Sequence, residues 1–182
     1  MEFSKGNDGD KKKLFLAIPV PEEIISGIIK DSAELKFPGK ITSKENLHIT
    51  LHFFGYIETA RLPEIQTILN EIAAAGSGFS LEFRGYKYKK GFHPMVWGIF
   101  QESNGFRDLA LKIRIEFNDA DRRFIPHITI SRVKGKAEFP SFTPVKGFHN
   151  VYVKHFELWE SEVSQAGSKY SVLQRYELKG GR

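Results

Sequence analysis

Hydrophobic positions change their spacing along this chain, and each change marks an element. Leu14 to Val20 is a continuous apolar run that predicts a buried strand, and Pro21 directly after it suits the first turn of a helix carrying Ile24, Ile25, Ile28 and Ile29. Leu47 to Phe54 alternates with a period of two and predicts a second strand. Leu62, Ile65, Ile68, Leu69 and Ile72 return to helical spacing, and Gly76-Ser77-Gly78 ends that helix before a strand over Phe79 to Tyr88.

The second half repeats this order. A strand is expected over Met95 to Phe100, then a helix with Phe106, Leu109, Ala110, Ile113 and Phe117 on one face, then a strand from Ile125 to Ser131. Pro140, Pro144, Gly135 and Gly147 predict a long loop from Val133 to His149, and strands over about Val151 to Glu160 and Tyr170 to Leu178 close the pattern. Strand, helix and a strand bearing His-Ile-Thr thus occur in that order twice, which predicts two lobes of similar build facing each other. Residues 1–12 are polar, Gly-rich and aperiodic, which predicts a disordered tail ahead of a single domain over 13–182.

Composition narrows the class. At 182 residues and 41% hydrophobic the chain has enough apolar material for one core, while its longest apolar run is too short to span a bilayer. Lys11-Lys12-Lys13 before that run resembles the start of a secretory leader, but no small-residue cleavage site follows. The sequence has no cysteine, which excludes a disulfide framework and thiolate metal sites and fits a reducing compartment, so the cytoplasm is the expected location and no membrane partner is expected. A formal charge of +5 and a pI near 9.3 favour anionic partners, although an ordinary solvated surface accounts for the same charge.

The candidate chemistry lies in Asn46-Leu47-His48-Ile49-Thr50-Leu51 and Pro126-His127-Ile128-Thr129-Ile130-Ser131. Strand alternation places His48 with Thr50 on one face and the apolar residues between them on the other, and it groups His127 with Thr129 and Ser131 in the same way. If the lobes face each other, both His/Thr pairs line one cleft. Two imidazoles there suit the opening of a cyclic phosphodiester. A neutral one takes a proton from the attacking water and a protonated one delivers a proton to the leaving oxygen. The threonine hydroxyls can donate to the non-bridging oxygens, where charge accumulates, and no metal enters the scheme.

On these residues the chain resembles the two-histidine phosphoesterases, most closely the RNA 2′,3′-cyclic phosphodiesterases, also described as 2′-5′ RNA ligases. The resemblance is carried by the two tripeptides, with Leu14-Phe15-Leu16-Ala17-Ile18-Pro19, Phe53-Phe54-Gly55, Met95-Val96-Trp97, Arg132, and Glu160-Ser161 through Gly167, Tyr170, Leu173 and Tyr176 as context. It implies an α+β, bilobal fold in which two antiparallel sheets form a concave cleft with helices outside. It further implies hydrolysis of RNA 2′,3′-cyclic phosphate ends to 2′-phosphomonoesters, with His48 as proton donor, His127 as proton acceptor and no cofactor. Strand parity alone assigns neither role. Arg132 matches an arginine that such proteins carry after the second tripeptide and use at the phosphate, a task that suits a guanidinium by geometry and permanent charge. Arg132 is out of phase with His127 and Thr129, so it is expected where the strand twists or ends. RNA with such ends is the expected partner, and a monomer the expected state.

Other residues have two readings each. His52 shares parity with His48 and reads as an exposed sheet histidine or as a further cleft residue. Phe92 and His93 fall on a turn, where an aromatic ring either packs locally or stacks on a base. Lys87, Lys89 and Lys90, interleaved with Tyr86 and Tyr88, read as an RNA-contacting edge or as a lysine-protected edge strand. End-joining through a 2′-5′ linkage, hydrolysis of small cyclic nucleotides or tRNA-splicing intermediates, and an inactive RNA-binding module are the alternative activities.

Overall fold

Strands with one apolar face need a cover, and three helices supply it here. The protein, described by a computed structural model over residues 10–119, 125–164 and 167–180, runs β1 (Lys11–Pro19), α1 (Glu22–Glu34), β2 (Lys40–Ile41), β3 (His48–Glu58), α2 (Leu62–Ala75), β4 (Phe79–Lys89), β5 (Met95–Gln101), α3 (Asn104–Glu116), β6 (His127–Arg132), β7 (Phe142–Val153), β8 (His155–Ser164) and β9 (Gly167–Glu177). Ile24, Ile25 and Ile28 of α1, Ile65, Leu69 and Ile72 of α2, and Phe106, Leu109 and Ile113 of α3 join the main core. Ile29 does not, and stays 48% exposed. Alternation on β1 sends Leu14, Leu16 and Ile18 into that core, while Phe15 and Ala17 join Trp159 in a smaller cluster.

The strands form one antiparallel sheet in the order β7-β4-β5-β6-β3-β1-β8-β9, with β2 added beside β6. The two sheets expected are the two halves of this one, and they correspond strand for strand: β3-β1-β8-β9 mirrors β6-β5-β4-β7. A single pair, Ile49 with Ile128, joins β3 to β6. One backbone hydrogen bond contributes about 0.5–1.5 kcal/mol, whereas burying an isoleucine contributes about 1.5–3 kcal/mol. With Ile49 and Ile128 at 1% and 0% exposure, apolar packing rather than the ladder holds the joint.

Three boundaries differ from the pattern. Lys11 and Lys12, expected in the polar tail, are the first residues of β1 because they pair with Glu58 and Ile57; residues 1–9 lie outside the described residues. The loop expected over Val133 to His149 ends early, since β7 begins at Phe142. Its proline is tolerated because β7 is an edge strand and Pro144 faces Gly85 where the β4–β7 register shifts. The strand expected over Val151 to Glu160 is divided at Lys154, and its two parts, β7 and β8, belong to opposite halves of the sheet.

Candidate active site

His48 opens β3 and His127 opens β6. Because these strands run antiparallel through Ile49 and Ile128, the register sets His48 beside Thr129 and Thr50 beside His127, on the face opposite the buried isoleucines. All four side chains line one cleft of about 670 Å³, together with Asn46, Lys89, Trp97, Arg132 and Tyr170. Both His/Thr pairs lie on the face that strand alternation predicts.

Each imidazole is fixed in the same way. Nδ1 of His48 lies 2.7 Å from the Asn46 carbonyl and Nδ1 of His127 lies 2.7 Å from the Ile125 carbonyl. A carbonyl only accepts, so Nδ1 carries the proton in both rings, leaving Nε2 as the exchanging nitrogen. Nε2 of His48 is 3.1 Å from Oγ1 of Thr50. Burial pushes the His48 imidazole down to about 4; the Asn46 carbonyl opposes this, and the Arg132 and His127 charges add to it. His127 is also lowered by burial, against the Ile125 carbonyl and with help from Lys89.

Matching bulges explain what strand parity could not. On β3, Thr50 faces Ala17 but His52 faces Leu16, so Leu51 is an extra residue. On β6, Thr129 faces Trp97 but Ser131 faces Val96, so Ile130 is extra. Past the second bulge Ser131 leaves the face that alternation gives it beside His127 and Thr129 and turns inward, fully buried and donating to the Pro38 carbonyl at 2.7 Å, and Arg132 turns into the cleft. Gly39 makes room for this turn: its φ is +87°, and a Cβ there would meet the Arg132 carbonyl oxygen at 2.4 Å. Past the first bulge His52 also turns inward. It is 5% exposed, packs on Phe54 and Phe117, and pairs with Asp119 at 3.2 Å, so it is neither an exposed sheet histidine nor a cleft residue.

Other expectations resolve differently. Tyr86 and Tyr88 are 1% and 6% exposed and belong to the core, so they offer no stacking face, and β4 lies between β5 and β7, so that segment is not an edge strand, while Lys89 lines the cleft. Phe92 is 94% exposed on the turn after β4 and touches His93. Sequence parity did not reveal the aromatic setting of the histidines. Trp97 stacks on His127 with centroids 3.9 Å apart, and the Lys89 ammonium lies 4.6 Å from the Trp97 ring centroid. Phe15, Trp159 and Tyr170 surround His48 at 5.0, 5.2 and 5.4 Å. Trp159 is itself locked by its Nε1, which donates to buried Glu157 at 2.8 Å, and Arg175 donates to the same carboxylate. The continuous apolar run of β1 predicts burial of Phe15, but the meeting of these rings across β1, β3, β8 and β9 depends on the register.

Two His-x-Thr strands meeting at a pseudo-twofold joint in an open antiparallel sheet define a two-histidine phosphoesterase. Residues 18–94 match the model of the family described as LigT like Phosphoesterase. The chain belongs to this LigT-like phosphoesterase family. It is 30% identical to the RNA 2′,3′-cyclic phosphodiesterase of Thermus thermophilus over 92% of this chain and 91% of that protein. It is 28% identical to the enzyme of that name from Methanocaldococcus jannaschii over 90% and 99% of the two chains. Among solved structures, Escherichia coli LigT complexed with 3′-AMP superposes with a TM-score of 0.81 at 26% identity, covering 93% of this chain and 99% of that one.

Proposed function

We propose that this protein hydrolyses 2′,3′-cyclic phosphate ends of RNA to 2′-phosphomonoesters. The observation that carries the proposal is the pair of Nδ1-anchored imidazoles lining one cleft together with Thr50 and Thr129. His127 Nε2 takes a proton from water as its oxygen bonds to phosphorus; the bond from phosphorus to O3′ breaks, and His48 Nε2 gives its proton to O3′. Thr50, Thr129 and Arg132 hold the non-bridging oxygens. RNA ending in a 2′,3′-cyclic phosphate is expected to give a 2′-phosphate and a free 3′-hydroxyl, resolved by chromatography and phosphate NMR. A 3′-phosphate product, or no conversion, overturns the assignment.

The same scheme needs no metal. Among the described residues no group of three or more His, Cys, Asp or Glu side chains is placed to hold one. Turnover is expected to persist unchanged in EDTA, and inhibition that added divalent metal reverses would refute this part of the mechanism. Cytoplasmic residence and a monomeric state belong to the proposal. No helix among the described residues is long and apolar enough to cross a membrane.

The environment also sets the pH dependence. Burial and nearby cations disfavour imidazolium at both rings, so each gives up its proton below the ordinary value of 6.5. Since kcat/KM reports the free enzyme, its bell should lie on the acid side of 6.5, with limbs that belong to the coupled pair. A bound phosphate favours imidazolium, so the bell in kcat should lie at higher pH. A kcat/KM profile centred above that of kcat would contradict this electrostatic account.

A further inference from the structure

We propose that Tyr56 and Lys13 form a subsite for the nucleotide upstream of the terminal one, so that the enzyme favours RNA ends over cyclic mononucleotides. The inference rests on the proposed RNA hydrolysis and adds a selection by length.

The bulges in β3 create the subsite. Leu51 is the first extra residue, and Phe54 is a second, because Phe15 faces Phe53 while Leu14 already faces Gly55. Phe54 turns to the helix side, packing on His52 and Phe117. Phe53 therefore stands on the cleft face, where it contacts Phe15 and lines the cleft with Lys13 and Gly55. Tyr56 follows, directly across from Lys13, whose ammonium lies 5.9 Å from the tyrosine ring centroid. From Thr50 outward the exposed row on β3 is Phe53, at 58%, then Tyr56, at 70%. Gly55 between them carries no side chain and has open space where a Cβ would point.

Single exposed aromatics are ordinary on a protein surface. Two in a row, leading from the catalytic histidine and carrying a cation beside the outer ring, make a stacking platform with a charge to meet a phosphate. Their partners on β1, Phe15 and Lys13, are two residues apart, about 6.7 Å along the strand, a spacing on the scale of one nucleotide in an extended chain.

The test compares a nucleoside 2′,3′-cyclic phosphate with RNA di- and trinucleotides bearing the same end. Wild-type kcat/KM should be higher for the oligonucleotides. Tyr56→Ala should lower it for them by about 5- to 100-fold, the effect of losing one base-stacking ring, with little change for the mononucleotide. Tyr56→Phe should keep the preference, and Lys13→Ala should make it less sensitive to salt. Equal loss on both substrates would mark a structural role and overturn the subsite, as would a wild type that cleaves the mononucleotide equally well. Loss of the preference in Phe92→Ala but not in Tyr56→Ala would put the RNA on the opposite rim and overturn it too. Failure to cleave any of these substrates would remove the proposed hydrolysis itself, a result distinct from cleavage without length preference.

Discussion

His48→Ala and His127→Ala are each expected to lower kcat/KM by roughly 10²- to 10⁴-fold, the usual loss when a positioned acid or base is removed. Both side chains are half-buried and turned into the cleft, so circular dichroism and the melting transition should show a folded protein. The double variant should be scarcely slower than either single one, because the two imidazoles complete one proton circuit. The pH profile separates the roles. Residual activity of His127→Ala should lose the acid limb, and that of His48→Ala the alkaline limb. Limbs lost in the opposite order would exchange donor and acceptor, and near wild-type turnover in either variant would end the paired mechanism.

Arg132→Ala should lower kcat/KM by about 10²-fold, as expected for a donor to the charge that develops on the phosphoryl oxygens. A second effect distinguishes contact with phosphate from mere support of β6. The guanidinium disfavours the charged form of His48, so its removal should move the limb governed by His48 to higher pH. Arg132→Lys keeps that charge but not the planar fork, and should hold the limb in place while recovering only part of the rate. A drop smaller than about tenfold in Arg132→Ala would rule out a phosphate contact in the transition state.

Much of this site was legible in the chain because period-two alternation is a local property. His48, Thr50, His127 and Thr129 follow from it, as do the helices whose apolar stripes cover the sheet. Alternation fails wherever an extra residue enters a strand, and a bulge has no necessary residue type. Leu51 and Ile130 look like any other apolar strand position, yet they decide that His52 is buried and Arg132 is in the cleft. The break at Lys154 was hidden for a similar reason. Val151 to Glu160 has continuous strand character, and only the pairing shows that its two ends serve different halves of the sheet. The aromatic wall around His48 needs β1, β8 and β9 side by side, information that resides in topology rather than in any one segment.

That topology has a consequence for protein synthesis. The half of the sheet that holds His48 is discontinuous, with β8 and β9 added to β3 and β1 only after the other half has been translated. Asn46, whose carbonyl orients His48, is in turn held by its side-chain amide on the Ser168 carbonyl of β9, at 3.0 Å. A ribosome-bound chain therefore carries both imidazoles before it carries Trp159, Tyr170 or the brace on Asn46. The cleft is assembled by the late hairpin, so an unfinished polypeptide exposes cellular RNA to the two histidines without the geometry that makes them an enzyme.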